Sequence, residues 1–148
     1  MSLELEIRPA SAEDSSRLAE LLSQLGYRSD ASSVRARLSA IAAHTDYATF
    51  VATTGGIVIG LVGIRTGPYY EGDDIYAQVM ALVVDERQRR QGVASRLLAH
   101  AEGWLAGKGV DLVVVHSGLH REDAHAFYAN AGYRLTGSRY VKRRSDGA

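Results

Sequence analysis

At 148 residues, 46% hydrophobic and 23% charged, the chain is sized for one domain with its own core and lies outside the composition of disordered proteins. Lysine plus arginine equals aspartate plus glutamate at 17 each, so no net field gathers nucleic acid or an anionic membrane surface. The absence of cysteine removes disulfides, thiolate metal sites and thiol nucleophiles together, and fits a reducing compartment.

Leu3, Leu5 and Ile7 alternate with charged residues before Pro9, the period-two signal of a half-buried first strand. Ser11 followed by Asp14 is a helix cap, and Leu18, Leu21, Leu22 and Leu25 mark one helical face up to Gly26. Val34, Leu38 and Ile41 give a weaker second helix ending near His44. Tyr47 to Thr53 and Ile57 to Ile64 are β-rich runs joined by Thr54-Gly55-Gly56, the signature of a hairpin. After a break from Gly67-Pro68 to Asp74, a strand runs from Ile75 to Val84, its last residues too uniformly apolar to have a wet face.

Val93, Leu97, Leu98, Ala101, Trp104 and Leu105 fall on one face of a helix that Gly109 ends, and Leu112 to Val115 is a short buried strand. Strand, helix and strand in that order form a βαβ unit, which requires parallel pairing. Ala124, Phe127, Tyr128 and Ala131 predict a further helix ending at Gly132, and Tyr133 to Val141 reads as a terminal strand or strand pair. The expected fold is a mixed α/β single domain over residues 1–148, with an antiparallel front half, a parallel centre and helices on both faces. No apolar run reaches the roughly 20 residues that span a bilayer, and no basic-then-apolar leader opens the chain, so a cytoplasmic protein is expected.

The chemistry concentrates between Val83 and Ala94, where a buried strand passes through an arginine-rich loop into a helix start. The first turn of a helix leaves backbone N–H groups unpaired and carries partial positive charge, so phosphate oxygens bind there without specialised side chains. Gly92 and Ala94 keep the approach open, and Arg87, Arg89 and Arg90 add charge at the mouth. No Gly-Lys-Ser/Thr follows and no Gly-x-Gly-x-x-Gly is present, so neither a P-loop nor a dinucleotide fingerprint fits.

Arg89-x-x-Gly92-x-Ala94 resembles the Gln/Arg-x-x-Gly-x-Gly/Ala pyrophosphate loop of GNAT-type N-acetyltransferases, and Ala124 to Tyr133 resembles that family's Ala-x-x-Phe-Tyr-x-x-x-Gly-Phe/Tyr stretch. The resemblance implies the GNAT fold, a central twisted mixed sheet splayed between the fourth and fifth strands. It implies acetyl-CoA as co-substrate, with the backbone of Leu82, Val83 and Val84 along the pantetheine arm. Main-chain amides from Arg89 through Arg90, Gln91, Gly92 and Val93 to Ala94, with Ser95 in the same turn, would hold the pyrophosphate. Tyr128 matches the family tyrosine near the coenzyme A sulfur, which implies a general acid for the departing thiolate. Many relatives have asparagine where Arg121 stands here, and Ser117 and Asn130 are the substitutes for a pantetheine contact.

An amine acceptor must lose a proton before it attacks. Glu71, Asp73 and Asp74 precede the central strand and are the candidate base or amine-binding acids, beside relay through water, because no glutamate or histidine occurs between Ile75 and Val84. A solvated turn is the plain alternative for the same residues. His116, His120, His125, Glu122 and Asp123 match no zinc spacing, so no metal is expected. The expected reaction is direct acetyl transfer to a primary amine of a small polar or cationic molecule, by a homodimer acting without nucleic acid or membrane. A protein lysine or N-terminus as acceptor, and a non-catalytic acyl-CoA-binding or regulatory domain, stand as alternatives.

Overall fold

The computed structural model describes residues 4–116, 122–137 and 140–144, without the side chains of Glu122 and Asp123. Contacts divide the chain into two compact units, Met1–Val115 and His116–Ala148.

The first unit holds β1 (Glu6–Pro9), α1 (Ser15–Gln24), α2 (Ala31–Ala42), β2 (Tyr47–Thr54), β3 (Ile57–Pro68), β4 (Ile75–Val84), α3 (Val93–Gly107) and β5 (Leu112–Val115). The five strands lie in chain order in one sheet. Pairings from β1 through β4 are antiparallel, while β4 and β5 run parallel. The mixed α/β reading and the βαβ unit are borne out, with β4 and β5 at the limits read from sequence. β3 runs on to Pro68, past the expected end at Ile64, because β4 supplies a ladder partner as far as Ile75.

Alternation along the strands sends side chains to two covered faces. Val51, Leu61 and Val83 form a row across β2, β3 and β4 that packs with Leu18, Leu21 and Val34 of α1 and α2. On the other face Phe50 meets the rings of His100 and Trp104 at centroid distances of 4.7 and 6.0 Å, which seats α3 there. Gly60 also faces α3, and a Cβ at that position would stand 2.8 Å from Leu97 Cδ1 and 3.3 Å from the Val83 carbonyl oxygen. Its lack of a side chain lets the first turns of α3 lie directly on β3.

The chain enters α1 through a 3₁₀ turn at Ala12–Asp14, where the expected Ser11 cap is present. The Asp14 carboxylate accepts the Ser11 N–H at 2.8 Å and both Arg8 terminal nitrogens at 2.8 and 2.9 Å. This ties β1 to α1 by a bidentate pair.

In the second unit α4 (Glu122–Asn130) ends as expected, with the Tyr133 N–H returning to the Tyr128 carbonyl at 2.9 Å. The terminal strand expected at Tyr133 to Val141 is corrected: residues 133–137 and 140–143 carry no regular structure. A strand exists by its ladder, and no ladder partner for this segment lies among the described residues. Leu135, Tyr140 and Val141 are correspondingly exposed.

Candidate functional site

β4 is not a uniform strand. Its register against β3 passes from Gly63↔Ala81 to Ile64↔Val79, leaving Met80 as an extra residue. An extra residue bends its strand and breaks the local ladder. On the opposite side, β5 pairs with β4 only from Tyr76↔Leu112 to Val79↔Val115. The parallel pairing therefore stops one residue before the bulge, and Met80–Val84 have no partner on the β5 side among the described residues. Leu82, Val83 and Val84 thus carry a row of main-chain groups open along one edge, while Val83 and Val84 bury their side chains in the two faces. An extended ligand can add to such an edge like a further strand.

Past Val84 the chain turns through a 3₁₀ segment, Glu86–Gln88, whose start is fixed by Asp85. The Asp85 carboxylate accepts the Arg87 N–H at 3.0 Å and pairs with the Arg17 guanidinium, and the Gln88 N–H donates to the Asp85 carbonyl at 2.9 Å. The Arg87 N–H and the Arg17 charge hold the Asp85 carboxyl below its usual range although burial opposes them. Sequence reading did not single out Asp85. Its signal was an acid closing an apolar strand, which reads equally as a solvated turn.

Arg89 is extended, Arg90 is left-handed at φ 64° and Gly92 is left-handed at φ 81°. Successive turns of this kind make neighbouring N–H groups converge into an anion-binding concavity. Gly92 is the N-cap of α3 and supplies no side-chain cap, so its first turn keeps its orphan donors. The Arg87, Arg89, Arg90 and Arg96 guanidinium groups are exposed around this turn and form no ion pair among the described residues. Gln91, Gly92 and Ser95 are exposed and Ala94 is partly so, whereas Val93 is 1% exposed and anchors the turn to the core. The structure thus brings together Leu82, Val83, Val84 and Arg89 to Ser95 as a continuous open edge and helix start.

The three candidate acids lie elsewhere. Glu71, Asp73 and Asp74 are exposed in the turn between β3 and β4, and the stretch from Asp74 to Met80 covers about 20 Å of extended chain. Tyr69 and Tyr76 meet edge to face at 5.3 Å where this turn joins the sheet. A shallow depression beside them is lined by Arg65, Thr66, Gly67, Pro68, Tyr76 and Gln78.

In the second unit, the partly buried Tyr128 ring stands between Phe127 and Tyr133, at centroid distances of 5.2 and 5.7 Å. Asn130 is exposed at the end of the same helix. Ser117, also a predicted contact, lies outside the described residues, as do His120 and Arg121. Among the described residues no group of three or more His, Cys, Asp or Glu side chains could hold a metal ion, and no helix is long and apolar enough to cross a membrane.

The model of the Acetyltransferase (GNAT) family matches residues 15–133. A curated relative, the aminoalkylphosphonate N-acetyltransferase of Salmonella typhimurium, is 29% identical over 92 residues, covering 62% of this chain. The match spans 60% of that relative's length. Among solved structures, a transcriptional regulator from Bacillus halodurans superposes with a TM-score of 0.88 at 19% identity, over 95% of this chain and 99% of that one. An aminoglycoside antibiotic 6'-N-acetyltransferase from Acinetobacter haemolyticus superposes with a TM-score of 0.79 at 20% identity, over 94% of this chain and 97% of that one. At these identities the superpositions show a shared fold.

Proposed function

The chain belongs to the Acetyltransferase (GNAT) family, and from that membership we propose that it transfers an acetyl group from acetyl-CoA to a primary amine of a small polar molecule. The observation that carries this reading is the continuity of two open main-chain surfaces, the edge of Met80–Val84 and the uncapped start of α3 at Gly92. The first suits an extended amide-bearing arm and the second suits a diphosphate. Leu82, Val83 and Val84 would line the pantetheine. Amides from Arg89 to Ala94, with Ser95, would take the phosphates while the exposed arginines neutralise them. Ser117 and Asn130 are the proposed further contacts to the arm.

In the proposed reaction the neutral amine nitrogen attacks the thioester carbonyl, a C–N bond forms, and the C–S bond breaks with its electron pair leaving on sulfur. Tyr128 donates a proton to that thiolate, and a main-chain N–H near Leu82 or Val83 stabilises the intermediate oxyanion. The amine's proton passes to water, because about 20 Å of strand separates Asp74 from Met80, far beyond direct hydrogen-bond reach. Glu71, Asp73 and Asp74 are proposed instead to attract a cationic acceptor towards the mouth of the sheet. The curated relative's name, an N-acetyltransferase acting on an aminoalkylphosphonate, supports a small amine over a protein lysine. The cysteine-free composition supports direct transfer in a cytoplasmic setting.

Release of free thiol from acetyl-CoA in the presence of a panel of amines tests the proposal. Turnover with at least one small amine is expected. Tight binding of acetyl-CoA with no turnover for any amine would favour a non-catalytic sensor.

A further inference from the structure

Arg17 sits in the first turn of α1, yet its side chain is only 25% exposed and its nitrogens are divided among three partners. Nε donates to the Val58 carbonyl at 2.8 Å, Nη1 meets Glu20 at 2.7 Å and Nη2 pairs with Asp85. Asp85 is 2% exposed, and its N–H donates to the Ile59 carbonyl at 2.8 Å. At the far end of α1, Gln24 Oε1 accepts the Glu86 N–H at 2.9 Å. One helix therefore grips the Asp85–Gln88 turn from both of its ends. The Val58 carbonyl that Arg17 uses and the Ile59 carbonyl that accepts the Asp85 N–H lie where β3 shifts register against β2 between Ala52↔Gly60 and Thr53↔Val58. An irregular point in the sheet has become the anchor for the turn.

Arg87, Arg89, Arg90 and Arg96 crowd this turn without acidic partners, so mutual repulsion acts to spread it. The Asp85 carboxylate is the one buried charge in the turn, and it joins the Arg87 N–H to the Arg17 guanidinium of α1. We propose that Arg17 and Asp85 are positioning residues for the diphosphate of acetyl-CoA, holding the turn so that the amides from Arg89 to Ala94 converge before the ligand arrives. This rests on the acetyltransferase reading above. A cradle set in advance loses less freedom on binding, so the pair acts on affinity for the diphosphate and not on the acyl transfer itself. Neither side chain touches the ligand in this scheme. Their effect passes through the Arg87 N–H and the backbone that follows it.

The test compares two donors, acetyl-CoA and S-acetylpantetheine, which keeps the thioester and arm but lacks the diphosphate. For Asp85→Asn, at a temperature where circular dichroism shows a folded protein, KM for acetyl-CoA should rise about tenfold with kcat retained, while kcat/KM for S-acetylpantetheine stays at the wild-type value. Equal losses with both donors would reduce the pair to a structural strut, and no change with either would remove it from the site. If Asp85→Asn does not fold, Arg17→Lys carries the same comparison, since lysine keeps the charge but cannot span Val58 and Asp85 together. Wild-type protein that binds no acetyl-CoA would overturn the acetyltransferase reading instead, which separates the two failures.

Discussion

Val79 and Val115 form the last rung at which β4 and β5 run side by side, and the next residue of β4, Met80, is the bulge that turns the strand away. Divergence and bulge coincide, so the open edge of Met80–Val84 is built into the register of the sheet. It leads straight into the amide-rich start of α3, whose place on the sheet is set by close packing.

That packing gives the first prediction. Leu97 is fully buried, so its methyl has no room to retreat from a Cβ at position 60. Gly60→Ala should lower the urea-derived unfolding free energy by about 1–3 kcal/mol. Adding Leu97→Val should restore part of the loss, and an unchanged midpoint for the single variant would show that α3 is held less tightly than the structure implies.

Arg90 is the one non-glycine residue with a positive φ among the described residues. A left-handed backbone costs an ordinary L-residue about 1–2 kcal/mol, and more for a β-branched side chain. Arg90→Gly is therefore expected to raise or hold the melting temperature, and Arg90→Val to lower it. The reverse order in a thermal melt would contradict the conformation.

Three carboxylates are held below their usual range: Asp14 by the Arg8 fork and the Ser11 N–H, Asp85 by the Arg87 N–H and the Arg17 charge, and Asp30 at the start of α2 by the Ser33 N–H and the Ser32 hydroxyl. Groups depressed in the folded state contribute stability above the unfolded carboxylate pKa of about 3.9, and lose it as pH falls through their folded values. Unfolding free energy should thus drop on acidification below about pH 4. Asp14→Asn should flatten that slope in urea titrations run at several pH values, and an identical slope would show that the Arg8 pair is not formed in solution.

The proposed acid is tested by Tyr128→Phe. The ring contacts with Phe127 and Tyr133 survive the change, so packing is retained and only the hydroxyl is lost. A fall in kcat of about 100-fold is expected, with KM for acetyl-CoA little altered. Unchanged kcat would leave Tyr128 as a packing residue alone.

Much of this was legible in the sequence because local signals agreed with the tertiary structure. The apolar run Ile75 to Val84 gave both ends of β4, and Gly55-Gly56 gave the β2–β3 hairpin. Local patterning does not carry register, however. The bulge at Met80 sits inside a run whose residues are nearly all apolar, where a shift of one leaves no break in alternation. The Arg17–Asp85 pair joins positions 68 residues apart, and each member alone reads as a surface charge. Tyr133 to Val141 differs for the opposite reason: the pattern suits a strand, but among the described residues no edge pairs with this segment.

Calorimetric titration of coenzyme A into the wild-type protein and into Gly92→Glu tests the main-chain cradle most directly. The left-handed φ at Gly92 and the negative charge of the new side chain both work against a diphosphate there. Saturable heat at one site per chain in the wild type, and none in Gly92→Glu, is the predicted result. Equal affinity in the two proteins, or no heat in either, would contradict it.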